Sequence, residues 1–285
     1  VLHTRPDGFA GSRSPLQVGA ELFGHAGVES DVEILSLVLE SLALLEIPNA
    51  HVDLGHVGIF RALAAEAGLS KNRENDLFAA LQRKAVPEIE AMLADWELDT
   101  AQRSRLAALA ELNGGPEVLE QARRALAGAS DTVIEALDNL CAITELLQQR
   151  VQDVVLHFDL AELRGYKYQT GMVFAVFIPG CGQEIARGGR YDAIGEVFGR
   201  ARPATGFSTD LKTLVTLSQR NFGEQDDAIL APADNDPELF AAVQQLRRSG
   251  ERVVCALPGE AVAPVDCGCN RILVNTGGTW TLKPV

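Results

Sequence analysis

Residues 162–177 read ELRGYKYQTGMVFAVF, residues 178–199 read IPGCGQEIARGGRYDAIGEVFG, and residues 200–211 read RARPATGFSTDL. An Arg-Gly turn leads into an apolar β-run. A Gly-Gly-Arg-Tyr-Asp turn follows, and a second Gly-bounded strand enters a helix from Asp210 to about Gln219. This alternation of runs and turns predicts an antiparallel sheet. Gly165, Gly188 and Gly189 suit positive φ or close approach of backbone to a ligand. Arg164 and Arg190 stand beside them, where a planar donor fork can meet a carboxylate. Tyr168 and Tyr191 offer apolar walls with polar tips. Two readings fit these spacings equally: a small-molecule pocket on the sheet, or ordinary hairpin turns flanked by solvated arginines.

Upstream, residues 13–24 read RSPLQVGAELFG. Leu16, Val18 and Ala20 alternate with Gln17, Gly19 and Glu21, the period of a half-buried strand. Gln17 and Glu21 therefore share a face, which either lines a pocket or faces solvent. Ser30-Asp-Val-Glu33 has the form of a capping box and predicts the start of a helix with Leu35, Val38, Leu39, Leu42 and Leu45 as its buried stripe. Pro48 ends it. Ala50–Leu54 reads as a strand and Val57–Ala67 as a helix. A capped helix at Ser130–Arg150 and a strand at Val154–Phe158, which carries His157, lead into the opening stretch.

Between these pieces lies a segment of another character. Residues 62–129 are rich in Ala, Leu, Glu and Arg, with breaks at Gly68, Pro87, Asp99 and Gly114-Gly115. They predict a helical insertion between two parts of a sheet domain, 1–61 and 130–222. Its arginines, such as Arg103 and Arg123, read as a solvated face paired with nearby Glu. Residues 223–285 predict a small α/β domain. AILAPA and RVVCALPG read as strands around a helix capped by Asp236 and ended by Gly250, and RILVNTG is a further strand.

The 285 residues are 47% apolar, enough for a substantial core, and carry a formal charge of −14. Such acidity weighs against a dedicated nucleic-acid binder. The five cysteines are Cys141, Cys181, Cys255, Cys267 and Cys269. They are odd in number and scattered, as free thiols in a reducing compartment are. Cys267-Gly-Cys269 lacks the second Cys/His pair of a metal site. No apolar run has the length of a membrane span and no signal peptide opens the chain, so the chain reads as cytoplasmic. VLHTRPD at the start reads as a strand and turn already in progress, which suggests a missing N-terminal part.

The ordered motifs resemble the catalytic core of histidyl-tRNA synthetases, over about residues 1–220. That family carries R-G-x-x-Y-Y, T-x-V-F, G-G-R-Y-D and G-F-x-x-G-L-E-R. Here they appear as Arg164-Gly-Tyr-Lys-Tyr-Gln169, Met172-Val-Phe174, Gly188-Gly-Arg-Tyr-Asp192 and Gly206-Phe-Ser-Thr-Asp-Leu-Lys-Thr213. The segment Gln17-Val-Gly-Ala-Glu21-Leu-Phe-Gly24 looks like the end of the family's second motif. The implied fold is α+β: a class II aminoacyl-tRNA synthetase-like antiparallel sheet with flanking helices, the helical insertion, and the small C-terminal α/β domain. The synthetase's histidine-contacting positions fall on Gln17, Glu21, Arg164, Tyr168, Gln169 and Tyr191. Gln169 replaces a Tyr, which alters the imidazole-reading side.

The departures point away from catalysis. The two arginines that class II synthetases place on the ATP phosphates fall on Leu2 and Thr213, and the Glu before the second falls on Lys212. Losing one such donor costs roughly 2.7–4 kcal/mol of transition-state stabilisation. This pattern, with HTRPDG, QVGAELFG and ATGFSTDL, is similar to the ATP phosphoribosyltransferase regulatory subunits, a paralogous family. That resemblance implies no catalytic residue, no metal and no cofactor. It implies a partner, the short-form ATP phosphoribosyltransferase catalytic subunit, and self-dimerisation within a hetero-oligomer. It also implies histidine as effector in the first step of histidine biosynthesis. An active histidyl-tRNA synthetase and a non-catalytic tRNA-binding paralogue remain the alternatives; the missing arginines and the net charge speak against the first.

Overall fold

The computed structural model describes residues 14–151, 154–163, 165–220, 222, 227–259 and 262–285. The chain divides into two compact units, Val1–Arg220 and Asn221–Val285.

In the first unit, the described strands form a seven-stranded sheet. The strands are β1 (Gln17–Phe23), β2 (His51–His56), β3 (Asn113–Gly114), β4 (Val155–Asp159), β5 (Met172–Phe177), β6 (Ala186–Arg190) and β7 (Ala204–Asp210). Their order is β1-β7-β6-β5-β2-β4-β3. All neighbours are antiparallel except β2 and β4, which run parallel. Strand β5, MVFAVF, is buried at every position from Met172 to Val176, as a central strand covered on both faces must be.

Two long helices, α1 (Val28–Leu44) and α7 (Asp131–Arg150), pack together over one face of the sheet. Their buried stripes are Leu35, Val38, Leu39 and Leu42 on α1 and Leu137, Leu140, Ile143 and Leu147 on α7. Helix α1 begins earlier than the capping-box pattern predicts. Gly27 is its N-cap residue and makes no side-chain cap. Ser30 lies inside the first turn, 3% exposed, where its hydroxyl donates to Gly27 O at 2.7 Å. Glu33 turns instead to Arg150, with Nη1 and Oε2 2.9 Å apart. The pattern fails because Ser30 is claimed by tertiary structure, as shown below.

Between β2 and β4 the chain forms α2 (Val57–Glu66), α3 (Lys71–Gln82), α4 (Val86–Asp95), α5 (Thr100–Ala108) and α6 (Glu117–Ala125) before α7. A true capping box closes the N-terminus of α5: Asp99 accepts from Gln102 N, and Gln102 Oε1 accepts from Asp99 N. Helix α2 starts on the residue that ends β2. His56 is its N-cap, and Nδ1 accepts from Gly58 N at 3.2 Å. The unit closes with α8 (Leu211–Leu217), capped by Asp210.

The second unit is a four-stranded sheet of order β11-β10-β8-β9, built from β8 (Ala228–Ala231), β9 (Val253–Cys255), β10 (Cys269–Thr276) and β11 (Thr279–Pro284). β8 is parallel to both neighbours. Helix α9 (Pro237–Arg248) connects β8 to β9, and its Leu239 and Val243 pack on Ile229, Val253 and Leu273. Strand β11 has no counterpart in the sequence reading. A two-glycine turn, Gly277 (φ 64°) and Gly278 (φ 88°), reverses the chain there, and Asn275 Oδ1 accepts from Gly278 N at 2.9 Å. Cys267 Sγ lies 3.4 Å from Cys269 Sγ as free thiols. Among the described residues no group of three His, Cys, Asp or Glu is placed to hold a metal, and no helix is long and apolar enough to cross a membrane.

Candidate functional site

Strand register fixes what each face of the sheet presents. Across β1, β7, β6, β5 and β2, one row of paired residues is Glu21, Gly206, Gly189, Val173 and Gly55. The adjacent row is Leu22, Thr205 and Arg190. Adjacent rows point to opposite faces. Arg190 and Thr205 therefore point to the α1 side, while Glu21, Gly206 and Gly189 share the opposite face, which is open beside β1 and covered by Asp159 and Glu162 where it reaches Gly55.

The Arg190 guanidinium is locked into the interior. Nε donates to Asp31 Oδ2 at 3.1 Å, Nη1 to His25 O at 3.2 Å and Asp192 Oδ1 at 3.1 Å. Nη2 donates to Gly27 O at 3.2 Å and Ser30 Oγ at 2.7 Å. All five N–H groups of the fork are thereby engaged. Burial pushes the Asp31 carboxyl above its ordinary range, against the pull of Arg190. Arg190, which sequence spacing offers as a ligand fork, is thus a structural tie between β6 and the first turn of α1. The Gly-Gly-Arg-Tyr-Asp motif contributes to the Glu21 face through Gly189 and Tyr191 instead.

On that open face the glycine row is a floor without side chains. A Cβ on Gly189 would lie 2.5 Å from Met172 O and 2.9 Å from Gln169 Oε1; one on Gly206 would lie 2.7 Å from Ala20 O and 2.9 Å from Glu21 Cγ. Glu21 and Gln169 thus reach over neighbouring, paired glycines. Tyr191 stands beside Glu21, and burial first, then the Glu21 carboxylate, pushes its phenol up to about 12. The rings of Tyr168 and Tyr191 are 6.4 Å apart, and Phe23 meets Tyr191 edge-on, also at 6.4 Å. Gln169 is 4% exposed, and its Oε1 has no hydrogen-bond partner among the described residues. The cluster is rich in acceptors and π faces, which suits a ligand bearing a cation or several N–H donors.

The structure brings Glu21, Tyr168, Gln169 and Tyr191 together. Gln17 shares their face but lies about 13 Å further along β1 from Glu21, with the side-chain-free Gly19 between them. Arg164 lies outside the described residues, as does Leu2. Phe23 joins the site although the sequence reading did not single it out. The two-residue period that pairs Gln17 with Glu21 extends to it and was the signal available. At the other end of the face, Lys212 Nζ donates to Ser14 O at 2.6 Å, and Thr213 Oγ1 to Asp210 Oδ2 at 3.4 Å. Lys212 is thus engaged by Ser14, ahead of β1, and Thr213 by the cap of its own helix.

Comparison with known proteins places these features in a family. The histidyl-tRNA synthetase model matches residues 1–214, and the ATP phosphoribosyltransferase subunit HisZ C-terminal domain model matches residues 226–283. The chain is 56% identical over 283 residues to the ATP phosphoribosyltransferase regulatory subunit of Thioalkalivibrio sulfidiphilus, covering 99% of this chain and 72% of that one. A solved ATP phosphoribosyltransferase regulatory subunit/histidyl-tRNA synthetase from Bacillus halodurans is similar at TM-score 0.68 and 27% identity, covering 88% of this chain and 65% of that one. A chain of the ATP phosphoribosyl transferase (HisG:HisZ) complex from Thermotoga maritima shares the fold at TM-score 0.56 and 21% identity, covering 68% and 65%. On a synthetase-like sheet whose Arg190 is structural, with a matching C-terminal unit, the chain belongs to the family of ATP phosphoribosyltransferase regulatory subunits.

Proposed function

We propose that this chain is a cytoplasmic, catalytically silent regulatory subunit. It dimerises within a hetero-oligomer with a short-form ATP phosphoribosyltransferase catalytic subunit and makes the first step of histidine biosynthesis responsive to histidine. The observation that carries the reading is its 56% identity to a regulatory subunit along 99% of its length. The fold it shares with a chain of a HisG:HisZ complex supports assembly with a catalytic partner.

Silence toward adenylation is supported by the site itself. Forming an aminoacyl adenylate builds negative charge that needs fixed cations at the phosphates. Here Thr213 offers a hydroxyl, and Arg190 is buried behind the sheet. Tyr168, Gln169, Tyr191 and Glu21 form the proposed effector pocket, with Gln17 at its far end and Arg164 as a further member from the family resemblance. Histidine brings an ammonium and imidazole N–H groups to a cluster of acceptors and rings. An effector acts only through different affinity for two states of the assembly.

The test is co-expression with the short-form catalytic subunit. A stable complex is expected, with turnover that requires this chain and falls when histidine is added. A partner equally active and equally inhibited alone would overturn the reading. Histidine-dependent pyrophosphate exchange with ATP at rates of a working synthetase would overturn the silence.

A further inference from the structure

Tyr166 sits in the interior behind the two pocket residues Tyr168 and Gln169. It is 7% exposed. Its ring packs against Phe60 of α2 and Phe78 of α3, with centroids 5.4 Å away in each case. Its hydroxyl donates to Glu74 Oε1 of α3 at 2.7 Å; burial and that carboxylate hold the phenol well above its ordinary range. Arg61 of α2 places Cζ 4.9 Å from the ring centre. The same guanidinium donates through Nη2 to the backbone oxygens of Tyr166 at 2.9 Å and of Gln169 at 3.0 Å. The turn between them is tight: Tyr168 N and Gln169 N both donate to Gly165 O at 2.8 Å.

We propose that Arg61, Tyr166 and Glu74 are positioning residues that hold the 165–170 turn, so that the α2–α3 pair sets the geometry of the pocket. The proposal deepens the effector-pocket reading above and rests on it. A buried amide oxygen without a donor gains by turning toward solvent or toward any N–H group within reach. Gln169 Oε1 is such an oxygen, yet it stays over Gly189. Its backbone is the part that Arg61 grips. Tyr168 is more than half exposed and has little packing of its own to fix it. The positional information for both side chains therefore comes from the helices behind them, roughly a hundred residues earlier in sequence. A change in how α2 and α3 are packed moves the acceptors that a ligand reads, and a ligand that tightens the turn stiffens α3 in return.

Backbone amide exchange on the full chain tests this, with L-histidine titration as a second readout. Tyr166→Phe keeps the ring between Phe60 and Phe78 and removes only the donor. Glu74→Ala removes the acceptor, and Glu74→Gln restores one. The expected result is exchange at Tyr168 and Gln169 faster by about tenfold in Tyr166→Phe and Glu74→Ala, the factor that one charge-assisted hydrogen bond carries. Glu74→Gln, which keeps an acceptor but not its charge, is expected to lie between the parent and Glu74→Ala, with α7 unchanged in all three. L-histidine affinity is expected to fall in the same two variants by a similar factor. Wild-type protection at Tyr168 and Gln169 in Tyr166→Phe and Glu74→Ala overturns the proposal, as does an equal loss of protection in α7. A loosened turn with unchanged histidine affinity also overturns it. If the parent chain binds no L-histidine, the effector-pocket reading falls, and the exchange rates alone decide whether the helices hold the turn.

Discussion

Arg190 and Asp31, 159 residues apart in sequence, meet inside the fold, where Nε donates to Oδ2 at 3.1 Å. The pair pins β6 to α1, with the arginine side chain 7% and the aspartate 1% exposed. Truncating one partner of a buried ion pair leaves the other charge uncompensated. Arg190→Ala is therefore expected to lower unfolding stability by about 3–5 kcal/mol. Arg190→Lys recovers only part of this, because one ammonium cannot reproduce five directed donors. Urea denaturation at neutral pH measures both.

His56 gives the fold a pH dependence. Burial, reinforced by Arg61 and Arg190, pushes its imidazole down to about 4. Neutral Nδ1 is also the acceptor that caps α2. A folded value below the unfolded value of 6.5 means the unfolded chain binds the proton first as pH falls. His56 thus contributes stability that is fully present above about pH 6.5 and is lost as pH falls through about 4. The loss is on the order of 3 kcal/mol. His56→Asn keeps a capping acceptor without a titrating group. It is expected to flatten this part of a stability profile measured by urea denaturation between pH 7 and pH 4.

Gly189 combines φ 154° with no room for a side chain on the open face. Gly189→Ala would drive its methyl into Met172 O and toward Gln169. The expected outcome is a loss of roughly 2 kcal/mol or more in stability. The same change narrows the proposed pocket. Thermal unfolding measures the first effect, and L-histidine titration at a temperature well below the melting point measures the second.

Glu21 is the carboxylate of the cluster. Glu21→Gln preserves shape and an acceptor oxygen while removing the charge. It is expected to weaken L-histidine binding by about tenfold or more, since hydrogen bonds to charged groups are worth about 1.5–3 kcal/mol. Calorimetric titration of the parent and variant chains gives the ratio. Stability should change little, because Glu21 lies on an exposed edge strand.

Local periodicity made much of this legible. The alternation from Gln17 to Glu21 puts those two on one face of β1, but the half-buried strand it predicts is not found: Leu16 and Val18 on the other face are 54% and 45% exposed. The apolar stripe read for α1 is buried at Leu35, Val38, Leu39 and Leu42, with Leu45 partly so at the helix end. Long-range pairing was not legible. Nothing near Arg190 in sequence reveals Asp31, so a turn arginine looked like a ligand donor. Ser30 shows the same limit. Its spacing to Glu33 is that of a cap, but its hydroxyl serves Gly27 O and Arg190, and the helix starts before it. Strand β11 was missed although its signal was present: Gly277-Gly278 followed by the alternating Thr279, Trp280, Thr281 and Leu282 is a hairpin pattern.

The parallel contact between β2 and β4 has a consequence for how this architecture can change. Chain leaves the sheet at His56 and, after touching it at the two-residue β3, enters β4 at Val155, which pairs with His51 at the far end of β2, so the ends of that long excursion are held roughly 17 Å apart. Closing a longer segment between fixed ends adds entropy only logarithmically in its length. The pieces α4 to α6, which pack mainly on other helices, can be lengthened or trimmed with less tension transmitted to the long strands than α2, α3 or α7 can.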